Sequence, residues 1–232
     1  MSKIDGNVKA NLINLLGGYS ETLNFVEKLS ETGELLFFGG AVRDIYIKND
    51  QYPRDFDIAI KFTDEMKFNN IINDYEYYKN RFGGYKIKVS GIDFDIWDLN
   101  NTWAFKNTNL KPSEENLAKS VYLNIDGIVY NFNSNCLYAD LLKETLMKSE
   151  LDVNLEKNPH VELNLLRALV FKRKYNLNLS NKLKRVFRYY VDSTKENNLV
   201  NYLLELQLSH YKIEKISKEE LENELQFISS IF

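Results

Sequence analysis

Residues 37–61 read FFGGAVRDIYIKNDQYPRDFDIAIK, and this stretch decides how the rest is read. An apolar run enters the Gly39-Gly40 pair. Residues 41–47 then predict a short helix with Val42, Ile45 and Tyr46 on one side, broken in the polar loop before Pro53. Beyond it Asp55 and Asp57 alternate with Phe56 and Ile58, the period-two pattern of a strand over residues 55–61 with one polar face.

Upstream, residues 35–38 form a short apolar run after Gly33 and predict a buried strand. Ile4, Val8, Leu12 and Leu15 recur at helical spacing and predict an amphipathic helix ending at Gly17-Gly18. Ser20 then caps a second helix with Leu23, Val26 and Leu29 turned inward. Downstream, Phe68, Ile71, Ile72 and Tyr75 share a face of a helix expected over residues 67–79. Gly83-Gly84 turns the chain into strands at 85–89 and 92–99, the latter within the acidic run GIDFDIWDL that starts at Gly91.

Residues 121–125 and 128–132 predict a further strand pair around Asp126-Gly127. After Pro159 the pattern is helical, with stripes at Leu163, Leu166, Leu169 and Val170, at Leu183, Val186, Phe187 and Tyr190, and at Leu199, Tyr202, Leu203 and Leu206. Ser217 with Glu220 makes a capping box for a last helix carrying Leu221, Leu225 and Ile228. The expected fold is α+β over residues 1–150, followed by a small all-helical domain over 151–232.

The 232 residues are 44% hydrophobic, enough for a sizeable core. No uncharged apolar run reaches the about 18 residues that a membrane span needs, and Asp5 and Asn7 interrupt the N-terminus, so a cytoplasmic protein without membrane contact is expected. A lone cysteine, Cys136, excludes an internal disulfide and reads as a small buried hydrophobe; His160, near Pro159, reads as a loop residue. With only His160 and His210 besides, a metal would be held by oxygen ligands, which suits Mg²⁺ or Mn²⁺ rather than zinc. The net charge of −3 conceals a segment, residues 163–191, that contains no acid. Lys172, Arg173 and Lys174 lie within it and are candidate contacts to RNA phosphates, the alternative being a solvated helix face.

Side chains two apart on a strand share a face, so Asp55 and Asp57 can address one site, as can Asp93 and Asp95. Carboxylates gathered in this way repel one another unless cations neutralise them, and a divalent ion is the natural partner. Asp98 has the opposite parity and falls outside the cluster. Gly39 and Gly40 let backbone approach a phosphate closely, Arg43 adds a permanent positive charge, and Asp44 can hold Arg43 or the loop in place. A triphosphate held there with its metal would face the acidic strand, and nucleotidyl transfer is the reaction that this pairing supports.

GGAVRD followed by PRDFDIAI resembles the head of class II CCA-adding tRNA nucleotidyltransferases and bacterial poly(A) polymerases, members of the DNA polymerase beta superfamily with the pattern GGxVRD, loop, DxDIA. The likeness is strong over residues 39–60. It extends weakly through YLNIDGIVYN at 122–131, similar to FTINALAYN, and LLRALVF at 165–171, similar to LRAxRF. The resemblance implies a polymerase-beta-like palm sheet with flanking helices. It also implies metal binding by Asp55 and Asp57, with Asp95 as third carboxylate and Asp93 as its rival, and triphosphate contacts from Gly39, Gly40 and Arg43. Asn124 would meet the nucleotide sugar and Arg167 the base. Where the family reads the base with an acidic pair and an arginine, this chain has His160, Val161 and Asn164. The expected function is transfer of a nucleoside monophosphate from an NTP to an acceptor hydroxyl, an RNA 3′ end of tRNA type first. Nucleotidylation of a protein or small molecule, or a non-catalytic nucleotide- or RNA-binding module, are the alternatives.

Overall fold

The computed structural model describes residues 5–19, 21–48, 53–194 and 196–231; Ile4, Ser20 and loop residues 49–52 lie outside them. The chain divides into two compact units, Met1–Val121 with Asp126–Leu142, and Tyr122–Ile125 with Lys143–Phe232.

The first unit opens with helices α1 (Asp5–Gly17) and α2 (Thr22–Ser30), then strand β1 (Gly33–Phe38), helix α3 (Gly40–Tyr46) and strand β2 (Asp55–Phe62). Next come α4 (Glu65–Ile72), β3 (Tyr77–Lys79), β4 (Tyr85–Val89) and β5 (Ile92–Asp98). Helices α5 (Trp103–Asn107) and α6 (Glu114–Lys119) and strands β6 (Val129–Asn131) and β7 (Cys136–Tyr138) complete it, and α7 (Asp140–Lys148) runs on past the division. Among the described residues the seven strands form one sheet in the order β3-β4-β5-β2-β1-β6-β7. β2 and β5 run parallel, whereas every other neighbouring pair is antiparallel.

The sheet has two unlike faces because of the alternation in β2 and β5. Phe56, Ile58, Phe94 and Ile96 are fully buried on one, where Phe56 stacks on Phe94 with ring centres 5.5 Å apart and Phe25 of α2 meets Phe94 edge-on at 5.2 Å. On the other, Leu36, Ala59, Leu99 and Val129 pack with Phe105 of α5 and Leu117 and Ala118 of α6. That apolar cover sits over the Ala59 end of β2; the other end of the same face carries Asp55 and Asp57.

Several expectations are corrected. The helix expected to reach residue 79 stops at Ile72, after Asp64 has capped it by accepting from the Lys67 N–H, and Tyr77–Lys79 instead pair with Tyr85–Ile87 as an edge strand. Two adjacent tyrosines suit an extended, half-covered backbone better than a helix interior. No hairpin closes at Asp126-Gly127: Asn124–Asp126 is a 3-10 turn, and β6 pairs with β1 on one side and β7 on the other. Cys136 is exposed, because it starts the outermost strand just after Asn135, which has φ 57. In α1 Val8 and Leu12 are buried as expected, but the third buried residue is Leu16, with Leu15 only half covered. The turn between β4 and β5 is Ser90-Gly91, both at positive φ, as a two-residue hairpin requires.

The second unit contains a two-stranded parallel ladder, β8 (Glu150–Leu151) and β9 (Asn178–Leu179), and helices α8 (Val161–Tyr175), α9 (Asn181–Thr194), α10 (Glu196–Tyr211) and α11 (Lys218–Ser230). Leu165, Leu166, Leu169, Leu183, Phe187, Leu199, Leu203, Leu221, Leu225 and Ile228 are buried, while Tyr202 is exposed and Gln207 fills the interior place one turn further on. Both ends of the buried Gln207 carboxamide are engaged: it donates to the Ile216 carbonyl and accepts from the Lys215 and Ile216 N–H groups. Ser217 and Glu220 form the expected capping box. Among the described residues no helix is long and apolar enough to cross a membrane.

Candidate active site

The parallel register of β2 and β5 sets Asp55 opposite Asp93 and Asp57 opposite Asp95. Paired residues of neighbouring strands project to the same face, so four carboxylates share the end of that face beyond the cover of α5 and α6. β1 delivers the glycine turn to the same place. Phe38 is the register partner of Asp57, so Gly39 leaves the sheet beside that carboxylate. Gly39 has φ 73 and ψ −148, a conformation that glycine adopts freely and side-chain-bearing residues do not. A Cβ at Gly39 would stand 2.8 Å from Asp57 Oδ2. At Gly40, the first residue of α3, it would meet only Arg43 Nη2, at 3.7 Å.

Arg43 is buried behind this turn. Its Nε and Nη2 donate to Asp44 Oδ1 at 2.9 and 2.8 Å, and Nη1 donates to Asp126 Oδ1 at 2.5 Å. Asp126 is as deeply buried as Arg43, and the pair joins the turn to a residue 83 positions away. By sequence Asp126 is expected in a turn between two strands. Its one signal was an acid inside the otherwise apolar run IDGIVY.

Three cations line the carboxylate face. Arg54 grips Asp55 Oδ2 through Nε and Nη2 at 3.0 and 2.8 Å, Lys86 Nζ lies 3.0 Å from Asp95 Oδ2, and Lys88 Nζ lies 3.5 Å from Asp93 Oδ1. The two candidates for third carboxylate differ in depth: the Asp95 side chain is 16% exposed and that of Asp93 40%. Asp95 Oδ1 is buried without a hydrogen-bond partner. Burial pushes the Asp95 carboxyl above its ordinary value, Lys86 opposes that, and the charges of Asp55 and Asp93 add to it. Lys86 is raised too: burial works against its charge, but the bond and charge of Asp95 outweigh it. Asp98 lies on the opposite face, opposite Ile60, and accepts from the Asn100 N–H at 3.0 Å.

Among the described residues no three His, Cys, Asp or Glu side chains form a ready metal-holding group; Asp55, Asp93 and Asp95 each face a cation of the chain's own. The donor set nevertheless fits a hard divalent ion: it is all oxygen, shares one face, and keeps one buried carboxylate oxygen unsatisfied.

The remaining expected site residues belong to the second unit. Asn124 has both ends of its carboxamide engaged by backbone, Nδ2 donating to the Glu150 carbonyl at 3.0 Å and Oδ1 accepting from the Asp152 N–H at 3.0 Å. Arg167 donates to Asn164 Oδ1 at 3.2 Å and lies 5.2 Å over the Phe171 ring. Asn164 is fixed in turn by Asn158 and the His160 carbonyl. His160 is exposed at the N-cap of α8. Lys172 is ion-paired with Glu224 and Arg173 with Glu220, both on α11, while Lys174 lies 4.9 Å over the Tyr175 ring.

No protein-family model and no curated protein matches the sequence. Solved structures do. A tRNA nucleotidyltransferase complexed with a primer tRNA and an incoming ATP analogue superposes with TM-score 0.60 at 16% identity, over 89% of this chain and 60% of that one. The chain shares the tRNA nucleotidyltransferase head fold. A CCA-adding enzyme solved with ATP gives TM-score 0.62 at 17% identity, over 96% of this chain and 52% of that one. The Thermotoga maritima CCA-adding enzyme with tRNA-CCA gives 0.62 at 16%, over 95% and 51%. This chain therefore spans half to three-fifths of the length of the nucleotidyltransferases it resembles. The sheet that carries the acidic strands thus has the architecture expected from GGAVRD and DFDIA.

Proposed function

We propose that this chain is a cytoplasmic, metal-dependent nucleotidyltransferase that moves a nucleoside monophosphate from an NTP to an RNA 3′ hydroxyl. The carrying observation is the β2–β5 register, which sets Asp57 beside Asp95 at the end of the sheet face that α5 and α6 leave open, against the Gly39 turn. Asp55, Asp57 and Asp95 are the proposed ligands for Mg²⁺ or Mn²⁺; the depth of Asp95 and its unsatisfied Oδ1 favour it over Asp93. A divalent ion bound there would lower the pKa of the acceptor hydroxyl and neutralise charge on the phosphates.

The chain's own groups do the rest. Gly39 and Gly40 admit the triphosphate to backbone contact, and Arg43 backs the turn, held by Asp44 and Asp126 so that its Nη2 stays against Gly40. The acceptor hydroxyl gives up its proton to water as its oxygen bonds to the α-phosphorus, the bond to the oxygen bridging the α- and β-phosphates breaks, and pyrophosphate leaves. Asn124 and Arg167 remain the proposed contacts to nucleotide sugar and base, and Lys172, Arg173 and Lys174 to RNA. An RNA acceptor is supported by the fold shared with enzymes solved with tRNA and ATP. The test is incubation with each α-phosphate-labelled NTP, Mg²⁺ and either total RNA or cell extract. Label on RNA is expected; label on protein or a small molecule alone would reject the RNA acceptor, and no transfer at all would reject the enzyme.

A further inference from the structure

The chain carries, beside its carboxylates, positive charge that a metal would otherwise supply. Tyr78, Lys86, Asp95, Asp57 and Phe38 are successive register partners across β3, β4, β5, β2 and β1, so they form one row on one face. Lys86 is thus fixed as the neighbour of Asp95. Its side chain is 33% exposed, its ammonium holds Asp95 Oδ2 at 3.0 Å, and the other oxygen of that carboxylate is buried and unsatisfied. Arg54 and Lys88 hold the flanking carboxylates in the same manner but are far more open to water, at 66% and 61% exposure. A cation as covered as Lys86 is screened less than the other two, so its effect on the carboxylate is the largest of the three.

We propose that Lys86 is a built-in counter-ion that competes with the divalent metal for Asp95 and, once displaced, pairs with the phosphates of the incoming nucleotide. Two consequences follow from charge alone. With no metal bound, the Lys86 ammonium at 3.0 Å from Asp95 balances part of the negative charge that Asp95 shares with Asp93 and Asp55. With metal bound, an ammonium on a long flexible stem is freed on the site's own face, and a triphosphate is the strongest acceptor that the proposed reaction brings there. Metal and nucleotide binding are then coupled through one side chain. The inference rests on the nucleotidyltransferase reading and assigns its site a positioning residue.

The test is calorimetric titration of Mn²⁺ into the full chain and its Lys86→Met, Lys86→Gln, Lys86→Arg and Lys88→Met variants, with far-UV circular dichroism to confirm folding. Lys86→Met and Lys86→Gln should bind Mn²⁺ about five- to tenfold more tightly than the wild type, the size expected for removing one partly screened competing charge. Lys86→Arg should stay near wild type because the competing cation remains, as should Lys88→Met, whose ion pair is solvent-screened. In a second titration with a non-hydrolysable ATP analogue, Mn²⁺ should strengthen nucleotide binding several-fold more in the wild type than in Lys86→Met. Folded Lys86→Met and Lys86→Gln variants with unchanged or weakened Mn²⁺ affinity would overturn the proposal, as would an equal metal-induced gain in nucleotide affinity in Lys86→Met and the wild type. If the wild type itself binds neither Mn²⁺ nor nucleotide, the nucleotidyltransferase reading fails instead.

Discussion

Replacing Gly39 with alanine, beside the same change at Gly40, separates the two adjacent glycines by mechanism. At Gly39 the backbone sits at φ 73, ψ −148, where a side-chain-bearing residue is strained by about 1–3 kcal/mol. The new Cβ would also stand 2.8 Å from Asp57 Oδ2, closer than real Cβ contacts, so that carboxylate must shift by about half an ångström. For a chain of 232 residues, a strain of that size lowers Tm by about 2–12 °C. Misplacing a group that holds reactants costs far more activity than stability, on the order of tenfold to a hundredfold in kcat/KM. At Gly40 the nearest atom is Arg43 Nη2 at 3.7 Å, an ordinary contact, and the residue begins a helix. Gly40→Ala should therefore keep or slightly raise Tm, by the about 0.4–1 kcal/mol that a compatible Gly→Ala change gains. It should still weaken NTP binding if phosphates approach that backbone. Thermal unfolding, Mn²⁺ titration and NTP titration together make the assay. Gly39→Ala with wild-type Tm and wild-type Mn²⁺ affinity, or two variants that behave alike, would refute the reasoning.

Other consequences follow from the same geometry. Because burial raises the folded-state pKa of Asp95 above its unfolded value, ionising it costs stability, and that cost disappears as pH falls through the raised value towards 3.8. Metal-free Asp95→Asn should thus compare most favourably with wild type near pH 7 in denaturant melts, and the difference should shrink on acidification; a difference that moves the other way would place the carboxyl below its usual range. Asp126→Ala leaves the buried Arg43 short of a partner and should cost about 3–5 kcal/mol, more than Asp44→Ala, whose carboxylate is the more exposed of the two. Equal costs in urea unfolding would contradict the distinction. An unchanged slope when Lys172, Arg173 and Lys174 are neutralised together would leave them a solvated helix face, whereas each cation that meets an RNA phosphate should flatten the salt dependence of single-stranded RNA binding by about 0.7. A change near three times that would mean that all three meet phosphates.

The core of the fold was legible because the informative residues are local. An apolar run, two glycines, a short amphipathic turn and an alternating acidic strand yield β1, α3 and β2 within a residue or two, and the same alternation yields β5. The parity that put Asp98 off the acidic face holds in the register. What sequence could not supply were pairings made at a distance. That β2 and β5 run parallel depends on how the intervening helix and hairpin cross, not on either strand's own pattern. β3 was hidden because Tyr75, at helical spacing after Ile71, extended a helix that Asn73 and Asp74 end. Asp126 looked like half of a turn, and only its contact with Arg43, across 83 residues, gives it another meaning. Lys86 and Lys88 drew no reading beyond the strand over residues 85–89, since the carboxylates they face lie on the next strand.

The central claim is that the carboxylate face transfers nucleotides, and label transfer tests it most directly. With α-phosphate-labelled NTP, Mg²⁺ and RNA, the wild type should release pyrophosphate and attach label to RNA 3′ ends. Asp55→Asn with Asp57→Asn should abolish both while the circular dichroism spectrum stays unchanged, because the two side chains are only half buried on the uncovered part of the sheet. Transfer that persists in the folded double variant, or a wild type that attaches no label to any acceptor, would contradict it.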